Sequence, residues 1–186
     1  MNEGPDPLAL VGLQIRPEDR DRLRRAWAWV VASHAGQVRD DGSRLIDHVV
    51  SVARNVQRFC APDCDGDLLI AALLHDIVEN TPVPLNDVET RFGARVASLV
   101  DAVTNREGES AADSAHRARD AGRDALLLRL SDRLDGILRS PGRSPKKARS
   151  FLATSRRVHL PLAEEHFPAL GEAMRAAIAQ AEAHIG

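Results

Sequence analysis

The stretch LLIAALLHDIVEN, from Leu68 to Asn80, constrains the fold of this chain more than any other part of the sequence. Its first seven residues are all apolar. A helix on a protein surface carries a polar stripe, so an unbroken apolar run predicts a helix that is buried on every side. Because Thr81 precedes Pro82, and the residue before a proline is pushed out of the helical region, we expect the helix to end there.

Four polar side chains follow this apolar run directly, and they are His75, Asp76, Glu79 and Asn80. Positions four apart share a helix face, which pairs His75 with Glu79 and Asp76 with Asn80. Burying an unpaired carboxylate is costly, and a bound cation is the simplest compensation. The alternative is a helix that reaches the surface at this end, with these side chains merely solvated.

Helical periodicity recurs along the rest of the chain, and we find neither a strand-like alternation nor an internal repeat. We therefore predict an all-α fold with a single domain over residues 16–186. Residues 1–15 carry Gly and Pro without a period and are expected to form a flexible lead-in. Residues 105–123 are polar and weakly periodic, which favours a flexible connection or a lid. Two helices, about 145–159 and 164–184, are predicted at the C-terminal end.

The composition argues against several classes of function. The formal net charge of −2 over 186 residues favours neither a nucleic-acid partner nor a membrane surface. The chain has no Tyr, so stacking on single-stranded nucleic acid is not expected. No signal segment or membrane-spanning run is visible, and a cytoplasmic protein is expected. Cys60 and Cys64 are too few for a disulfide framework and indicate zinc only weakly. The C-terminal helices could supply a surface for an oligomer.

A second apolar helix, predicted for residues 124–138, carries an acidic residue between leucines. This residue is Asp132, which taken alone is more typical of a surface ion pair with the arginine that follows it. His48, in the first turn of another predicted helix, would alone be a satisfied or exposed histidine. Together with the His-Asp pair of the central helix, they would bring two imidazoles and two carboxylates from three helices. That set suits a divalent ion such as manganese or iron better than a structural zinc.

Four segments of the chain resemble the HD-domain metal-dependent phosphohydrolases, and specifically the guanosine tetraphosphate (ppGpp) hydrolase domain of RelA/SpoT-type enzymes and the small alarmone hydrolases. HAGQVRDDGSRLIDHVVSVA is similar to the family's HxGQxRxxGxPYxxHPxxVA, and AALLHDIVENT is similar to AALLHDxVEDT. VETRFGARVASLVDAVT resembles the segment that follows in the family, and LRLSDRLDGI resembles KLADRLHNM. The four segments occur in the family's order and cover roughly residues 27–138. The resemblance is therefore much more specific than a His-Asp pair alone.

The resemblance implies a role for each matching residue. The four ligands of one metal ion would be His48, His75, Asp76 and Asp132. The metal would be manganese, although such a ligand set also accepts iron, zinc or nickel. Glu79 would position or deprotonate the attacking water, with Asn80 at the second catalytic position, and Arg39 would pack on the guanine or its ribose. The implied substrate is a guanine nucleotide, and the implied reaction removes pyrophosphate from the ribose 3′ position.

Several residues depart from the family pattern. Asn80 replaces a second acidic residue, and an amide can hold a water but cannot take its proton. Gly136 stands where the family has an Asn that contacts substrate. Asp40 replaces a Lys common in the phosphate-facing loop, and Arg44 and Leu45 replace a Pro-Tyr pair. Together these changes indicate an altered substrate, reduced activity or a relative that only binds.

The arginines of residues 105–123 could supply replacement phosphate contacts, because guanidinium groups suit phosphate oxygens. They are Arg106, Arg117, Arg119 and Arg123, of which Arg117 is assigned to substrate binding. The alternative is a solvated basic surface. His116 is expected to be exposed, and His34 is expected to cap or support the first helix.

Three functions therefore remain open from the sequence. The first is a metal-dependent hydrolase in which metal-bound water attacks the 3′ pyrophosphate of ppGpp. The second is an HD hydrolase that acts on a different nucleotide or phosphate ester. The third is a nucleotide-binding or interaction module that has kept the fold and the metal but has lost efficient water activation, for which Asn80 is the chief support.

Overall fold

The chain forms a bundle of α-helices in a computed structural model that describes residues 12–60 and 64–185. The helices are α1 (Arg20–Ser33), α2 (Leu45–Cys60), α3 (Gly66–Leu74), α4 (Ile77–Asn80), α5 (Leu85–Phe92), α6 (Ala94–Val103), α7 (Ala111–Asp120), α8 (Arg123–Leu138), α9 (Pro145–Thr154), α10 (Leu160–His166) and α11 (Pro168–Ile185). The described residues contain no strand, only one isolated bridge between Val38 and Arg44. The all-α prediction is confirmed.

The central apolar stretch forms helix α3, and the prediction that it is buried on every side is confirmed. Every residue from 68 to 74 is at most 3% exposed. Helix α3 packs against α1, α2 and α6, so three neighbours cover it. The Asp65 side chain accepts a hydrogen bond from the Leu68 amide and satisfies a free donor at the start of the helix.

One continuous helix from Leu68 to Asn80 was expected, and this expectation is wrong. Helix α3 ends at Leu74, a turn follows at His75 and Asp76, and the short α4 occupies Ile77–Asn80. Thr81 adopts an extended conformation and ends α4, as the following proline predicts. Both residues at the turn keep dihedral angles of the right-handed helical region, with φ −56° at His75 and φ −94° at Asp76.

Two further helices cross beside α3 and carry the other candidate site residues. Helix α2 packs against both α3 and α8 through Val49, Val52 and Val56, which are fully buried. Helix α8 is buried along most of its length, because it also contacts α6, α7 and α11. These contacts fix three helices around one point near the end of α3.

The flexible connection predicted for residues 105–123 is instead largely helical. Helix α7 spans Ala111–Asp120, and the side chain of Ser110 caps it by accepting a hydrogen bond from the Asp113 amide. The segment is rich in alanine, which has the highest helix propensity but contributes little to a hydrophobic pattern. Its buried face consists of Ser114, Ala115 and Ala118, small residues that let α7 pack on α8.

The end of the predicted flexible lead-in packs against the bundle. Leu13 is buried, and the backbone of Gln14 exchanges two hydrogen bonds with the side chain of Gln57 in α2. Leu13 and Gln14 thus contact the bundle, and the flexible lead-in over residues 1–15 stays a prediction. Residues 1–11 lie outside the described part of the chain.

The C-terminal segment forms three helices rather than the expected two. One π turn, Ser155–His159, joins α9 to α10, and such turns occur frequently at functional sites. Helix α11 packs on α8 and α10. In the described residues, no helix is long and apolar enough to cross a membrane.

We expect Leu73→Ala to lower the free energy of unfolding by about 2–5 kcal/mol, because it leaves a cavity in the fully buried α3. Leu138→Ala is the matched control, since that side chain is 53% exposed at the end of α8. It should change the free energy by no more than about 0.5 kcal/mol. Urea titration measures both values, and similar costs for the two variants would contradict the burial of α3.

Candidate active site

Two imidazoles and two carboxylates from three parts of the chain converge at the end of α3. The Nε2 atoms of His48 and His75 lie 3.1 Å apart. The Asp76 carboxylate approaches both rings, at 3.5 Å from Nε2 of His48 and 3.4 Å from Nε2 of His75. Asp132 of α8 places Oδ1 3.4 Å from Nε2 of His48. The structure thus brings together the four residues predicted as metal ligands.

The hydrogen bonds on the far side of each ring orient both imidazoles. Nδ1 of His48 donates to Oδ2 of Asp135 at 2.6 Å, and Nδ1 of His75 donates to the carbonyl oxygen of Ala72 at 2.9 Å. Since each Nδ1 carries a proton that faces its acceptor, each ring turns its Nε2 toward the other candidate ligands. An oriented imidazole with a carboxylate or carbonyl behind it is the usual arrangement at metal sites.

The donor set fits a divalent cation. Two lone pairs at 3.1 Å, with carboxylate oxygens beside them, repel one another unless a positive charge lies between them. Nitrogen and oxygen ligands at about 2.0–2.2 Å from one ion stand roughly 3–3.5 Å from one another. The observed separations of 3.1 to 3.5 Å match this spacing. One atom each from His48, His75 and Asp132 lies within 4.8 Å of the other two.

Positive charge and hydrogen bonds keep the acidic groups of this cluster ionised although they lie in a largely buried site. The two imidazoles are 1% and 4% exposed. Burial opposes ionisation of Asp132, but positive charge around it, including that of Arg129 and Arg133, keeps the pKa of Asp132 below its usual value. Burial also acts against the charge on Asp135, yet the hydrogen bond from His48 leaves the pKa of Asp135 below its usual value. Both carboxylates are therefore anionic at neutral pH.

Glu79, the predicted catalytic base, is held beside the cluster by a residue that the sequence did not single out. Its two carboxylate oxygens accept hydrogen bonds from the backbone amide and the side-chain amide of Asn105, at 2.9 and 3.0 Å. Ser114 of α7 in turn donates to the Asn105 side chain. Glu79 is exposed to solvent, so a water molecule can reach the carboxylate.

Asn80 is fixed through its backbone rather than its side chain. Its carbonyl oxygen accepts a hydrogen bond of 3.0 Å from Nε2 of Gln37, whose Oε1 lies 2.9 Å from Nδ1 of His34. His34 is buried at the end of α1, which agrees with a supporting role. These contacts tie the loop after α1 to α4. Asn80 itself lines the cavity described below.

A cavity of about 620 Å³ opens beside the candidate ligands. His48, Asp76, Asp132, Glu79 and Asn80 line its acidic side. The other charged lining residues are mainly cationic, and they are Arg39, Arg129, Arg133 and Arg143 together with the carboxylates Asp40 and Asp41 of the loop after α1, while Phe151 and His159 also line the cavity.

The loop that carries Arg39 is held in a tight turn. The Arg39 amide donates to Ser43, and the Gly42 amide donates back to the Arg39 carbonyl with Gly42 at φ +80°. Positive φ is readily adopted only by glycine, which explains the residue at this turn. Asp40, the acidic departure from the family pattern, pairs with Lys147 of α9 at 2.8 Å. The negative charge of Asp40 is thus offset by a lysine from a distant part of the chain.

Arg117 lies outside the residues that line this cavity. All five of its N–H groups are used within the chain, on the carbonyls of Asp101, Ala102 and Thr104 and on the Glu109 carboxylate, each at 2.8 Å. The guanidinium therefore fastens the loop that contains Asn105. Substrate binding by Arg117 stays a prediction, and these contacts favour a supporting role instead.

The other arginines of residues 105–123 also have partners within the chain. Arg106 pairs with Asp101, Arg119 pairs with its neighbour Asp120, and Arg123 lies over the Phe167 ring. His116 is exposed on α7, as expected. The replacement phosphate contacts predicted for this segment are not found among the cavity-lining residues.

The sequence analysis did not single out several residues of the site, among them Asp135, Asn105, Arg143 and Phe151. Asp135 could have been found, because it lies one helical turn after Asp132 on a buried helix and so faces the same way. Asn105, Arg143 and Phe151 carry no local signal. They reach the cavity only because the loop after α6 and the segment at the start of α9 fold back over α8.

Comparison with known proteins agrees with this arrangement. A model of the HD domain matches residues 26–166. The chain is 31% identical over 158 residues to the bifunctional (p)ppGpp synthase/hydrolase SpoT of Escherichia coli K12, covering 79% of this chain and 22% of that protein. A guanosine-3′,5′-bis(diphosphate) 3′-pyrophosphohydrolase of Aquifex aeolicus is 33% identical over 128 residues, covering 65% and 18%. The chain thus spans about a fifth of the length of these curated relatives.

A solved structure shares the fold. It is described as a metazoan ortholog of SpoT that hydrolyses ppGpp, and it superposes with a TM-score of 0.74 at 23% sequence identity. The match covers 86% of this chain and 94% of that one. With the helical bundle, the converging His and Asp side chains and the match over residues 26–166, the chain belongs to the HD domain family.

Proposed function

We propose that this chain is a metal-dependent phosphohydrolase that removes the 3′ pyrophosphate of guanosine-3′,5′-bis(diphosphate). The observation that carries the proposal is the convergence of two imidazoles and two carboxylates next to a cavity that His48, Asp76, Asp132 and Glu79 line. The substrate is the one named for the curated relatives, of which this chain spans about a fifth of the length. Such a nucleotide hydrolase would work in the cytoplasm.

The metal would be held by the four predicted ligands, His48, His75, Asp76 and Asp132. A divalent ion at this position, with manganese as the first choice, lowers the pKa of water and offsets negative charge on phosphoryl oxygens. Asp135 and the Ala72 carbonyl orient the two imidazoles that would hold the ion. The chain therefore contributes two oriented imidazoles to the proposed ligand set.

Glu79 would be the general base of the reaction. Its carboxylate takes one proton as the water oxygen bonds to the phosphorus that is attached to the ribose 3′ oxygen. The bond between this phosphorus and the 3′ oxygen breaks, the 3′ oxygen leaves as a hydroxyl after protonation, and pyrophosphate is released. Asn105 holds both Glu79 oxygens and so fixes the direction of the base. Asn80 can orient the water by hydrogen bonds but cannot accept its proton.

A different nucleotide or phosphate ester is the second candidate substrate. The observation that favours it is Gly136, which lines the cavity without offering the amide contact implied by the family. A panel of nucleotides, assayed for released phosphate and pyrophosphate, separates the two candidates.

The purified protein with manganese is expected to release pyrophosphate from ppGpp and from its 5′-triphosphate analogue pppGpp, and to leave GDP and GTP intact. The reason is that only the first two carry a diphosphate on the 3′ oxygen. Chromatography of the nucleotide products with a pyrophosphate assay provides the measurement. Intact ppGpp after prolonged incubation, with metal bound to the protein, would refute this substrate.

His75→Ala and Asp132→Ala are each expected to abolish stoichiometric metal binding and hydrolysis together, because each removes a ligand from a set of four. His116→Ala is the matched control, since His116 is exposed on α7 and away from the cavity. Elemental analysis of dialysed protein reports the metal content. A variant that keeps one equivalent of metal would show that the ligand set is wrong.

Glu79→Gln is expected to lower kcat by at least about 100-fold, because the amide keeps the shape of the side chain but cannot take a proton. Asn80→Asp, the matched change at the neighbouring position, should alter kcat by less than about tenfold, since Glu79 already supplies the base. Steady-state kinetics at saturating manganese compares the two. A 100-fold gain in Asn80→Asp would instead favour a natural protein that binds nucleotide without hydrolysing it efficiently.

A further inference from the structure

The cationic side of the cavity contains two arginines stacked on one aromatic ring. The guanidinium carbon of Arg133 in α8 lies 4.3 Å from the centre of the Phe151 ring, and that of Arg143 lies 4.2 Å from it. Both guanidinium groups therefore lie within cation–π distance of the Phe151 ring of α9. We name Arg133, Phe151 and Arg143 the arginine–phenylalanine stack.

Gly136 is the residue that makes room for this stack. A Cβ atom at position 136 would lie 2.6 Å from Cζ of Phe151, which is far inside van der Waals contact. A side chain at position 136 would therefore force the Phe151 ring to move. The glycine and the ring form one feature of the site, in which an aromatic wall takes the place of a polar side chain on α8.

The two guanidinium groups have few acceptors within the chain. Nε of Arg133 donates to Nε2 of His159, and burial lowers the pKa of that histidine to about 3, so the ring is neutral and does not offset the charge. In the described residues, no carboxylate oxygen lies within 4.0 Å of either guanidinium. Burial and the nearby charge of Arg39 lower the pKa of Arg143, although Asp41, Asp40 and Asp132 act in the opposite direction. Guanidinium groups that share one cavity and are not paired with a carboxylate suit an anionic ligand.

The stack lies in the same cavity as the acidic cluster, and this determines which phosphate group of a bound nucleotide it can contact. The acidic cluster and the stack line the same cavity, so a ligand held at the cluster extends toward the arginines. The proposed substrate carries two diphosphate groups, and only the 3′ group belongs at the cluster. Guanidinium planes match phosphate oxygens, and a ring at their backs limits their freedom before binding.

We propose that the arginine–phenylalanine stack binds the 5′-diphosphate of the nucleotide and so selects substrates that carry phosphate on both sides of the ribose. This inference rests on the proposed function for the identity of the nucleotide. Gly136 and Phe151 are then determinants of specificity, and the absence of an amide at position 136 is not a defect. Arg143, which lies just before α9, contributes a direct contact, and His159 positions Arg133.

GDP is the probe that tests the stack separately from hydrolysis, since it retains the 5′-diphosphate and lacks the bond that is cleaved. Calorimetric titration of the full chain with GDP, without metal, should show at least about a tenfold loss of affinity in Arg143→Ala, because a charge-assisted contact is removed. Phe151→Leu keeps an apolar side chain but loses the aromatic face, and severalfold weaker binding is expected. Arg149→Ala is the matched control, because this exposed arginine of α9 lies outside the cavity. Its affinity for GDP should equal that of the unaltered chain.

Kinetics on two substrates supplies the second measurement. Arg143→Ala should raise KM for ppGpp about tenfold with kcat within about twofold, and it should remove the preference for ppGpp over the analogue with a 5′-monophosphate. Unchanged GDP affinity in Arg143→Ala, or a fall in kcat at unchanged KM, would overturn the inference. A chain that binds GDP through Arg143 but leaves ppGpp intact would refute the proposed function alone, so the two failures are distinguishable.

Discussion

The close approach of two imidazole Nε2 atoms, 3.1 Å apart in a buried position, is the contact on which the rest of the site depends. Asp135 and the Ala72 carbonyl fix the tautomers behind the rings, so both lone pairs must face each other and the neighbouring carboxylates. Such an arrangement is unfavourable for the bare side chains and favourable around a cation. It also explains why the apolar helix α3 ends at Leu74, because the turn at residues 75 and 76 lets both side chains reach one point.

The cavity beside this cluster is divided by charge. Asp76, Glu79 and Asp132 line it together with His48, while Arg39 of the loop after α1, Arg133 of α8 and Arg143 before α9 line it elsewhere. A substrate with phosphate groups would then meet a cation at one end and guanidinium groups at the other. Two departures from the family pattern, at positions 40 and 136, fall beside the arginines. Asp40 forms an ion pair with Lys147 there, and the Phe151 ring occupies the space beside Gly136.

The sequence predicts the parts of this protein that depend on local pattern. The apolar run identifies α3, and the four motif segments identify His48, His75, Asp76 and Asp132, which the structure brings together although their role as metal ligands stays a prediction. Helix α7 was missed because its buried face is alanine and serine, which hydrophobic periodicity does not detect. Arg117 was assigned to phosphate for its charge, but its partners are backbone carbonyls that only the folded chain brings near. The contact of Phe151 with Gly136 joins two helices and has no signature in either segment.

The five hydrogen bonds of Arg117 have a consequence for how the protein can lose activity. They fasten residues 104–109 to the end of α6, and this loop holds Asn105 against Glu79. The candidate base is therefore oriented by a surface segment, whereas the imidazoles and carboxylates of the cluster are anchored in the core. A local opening of that loop would release the base and leave the cation site intact, so inactive molecules could persist with their folded core and bound metal unchanged.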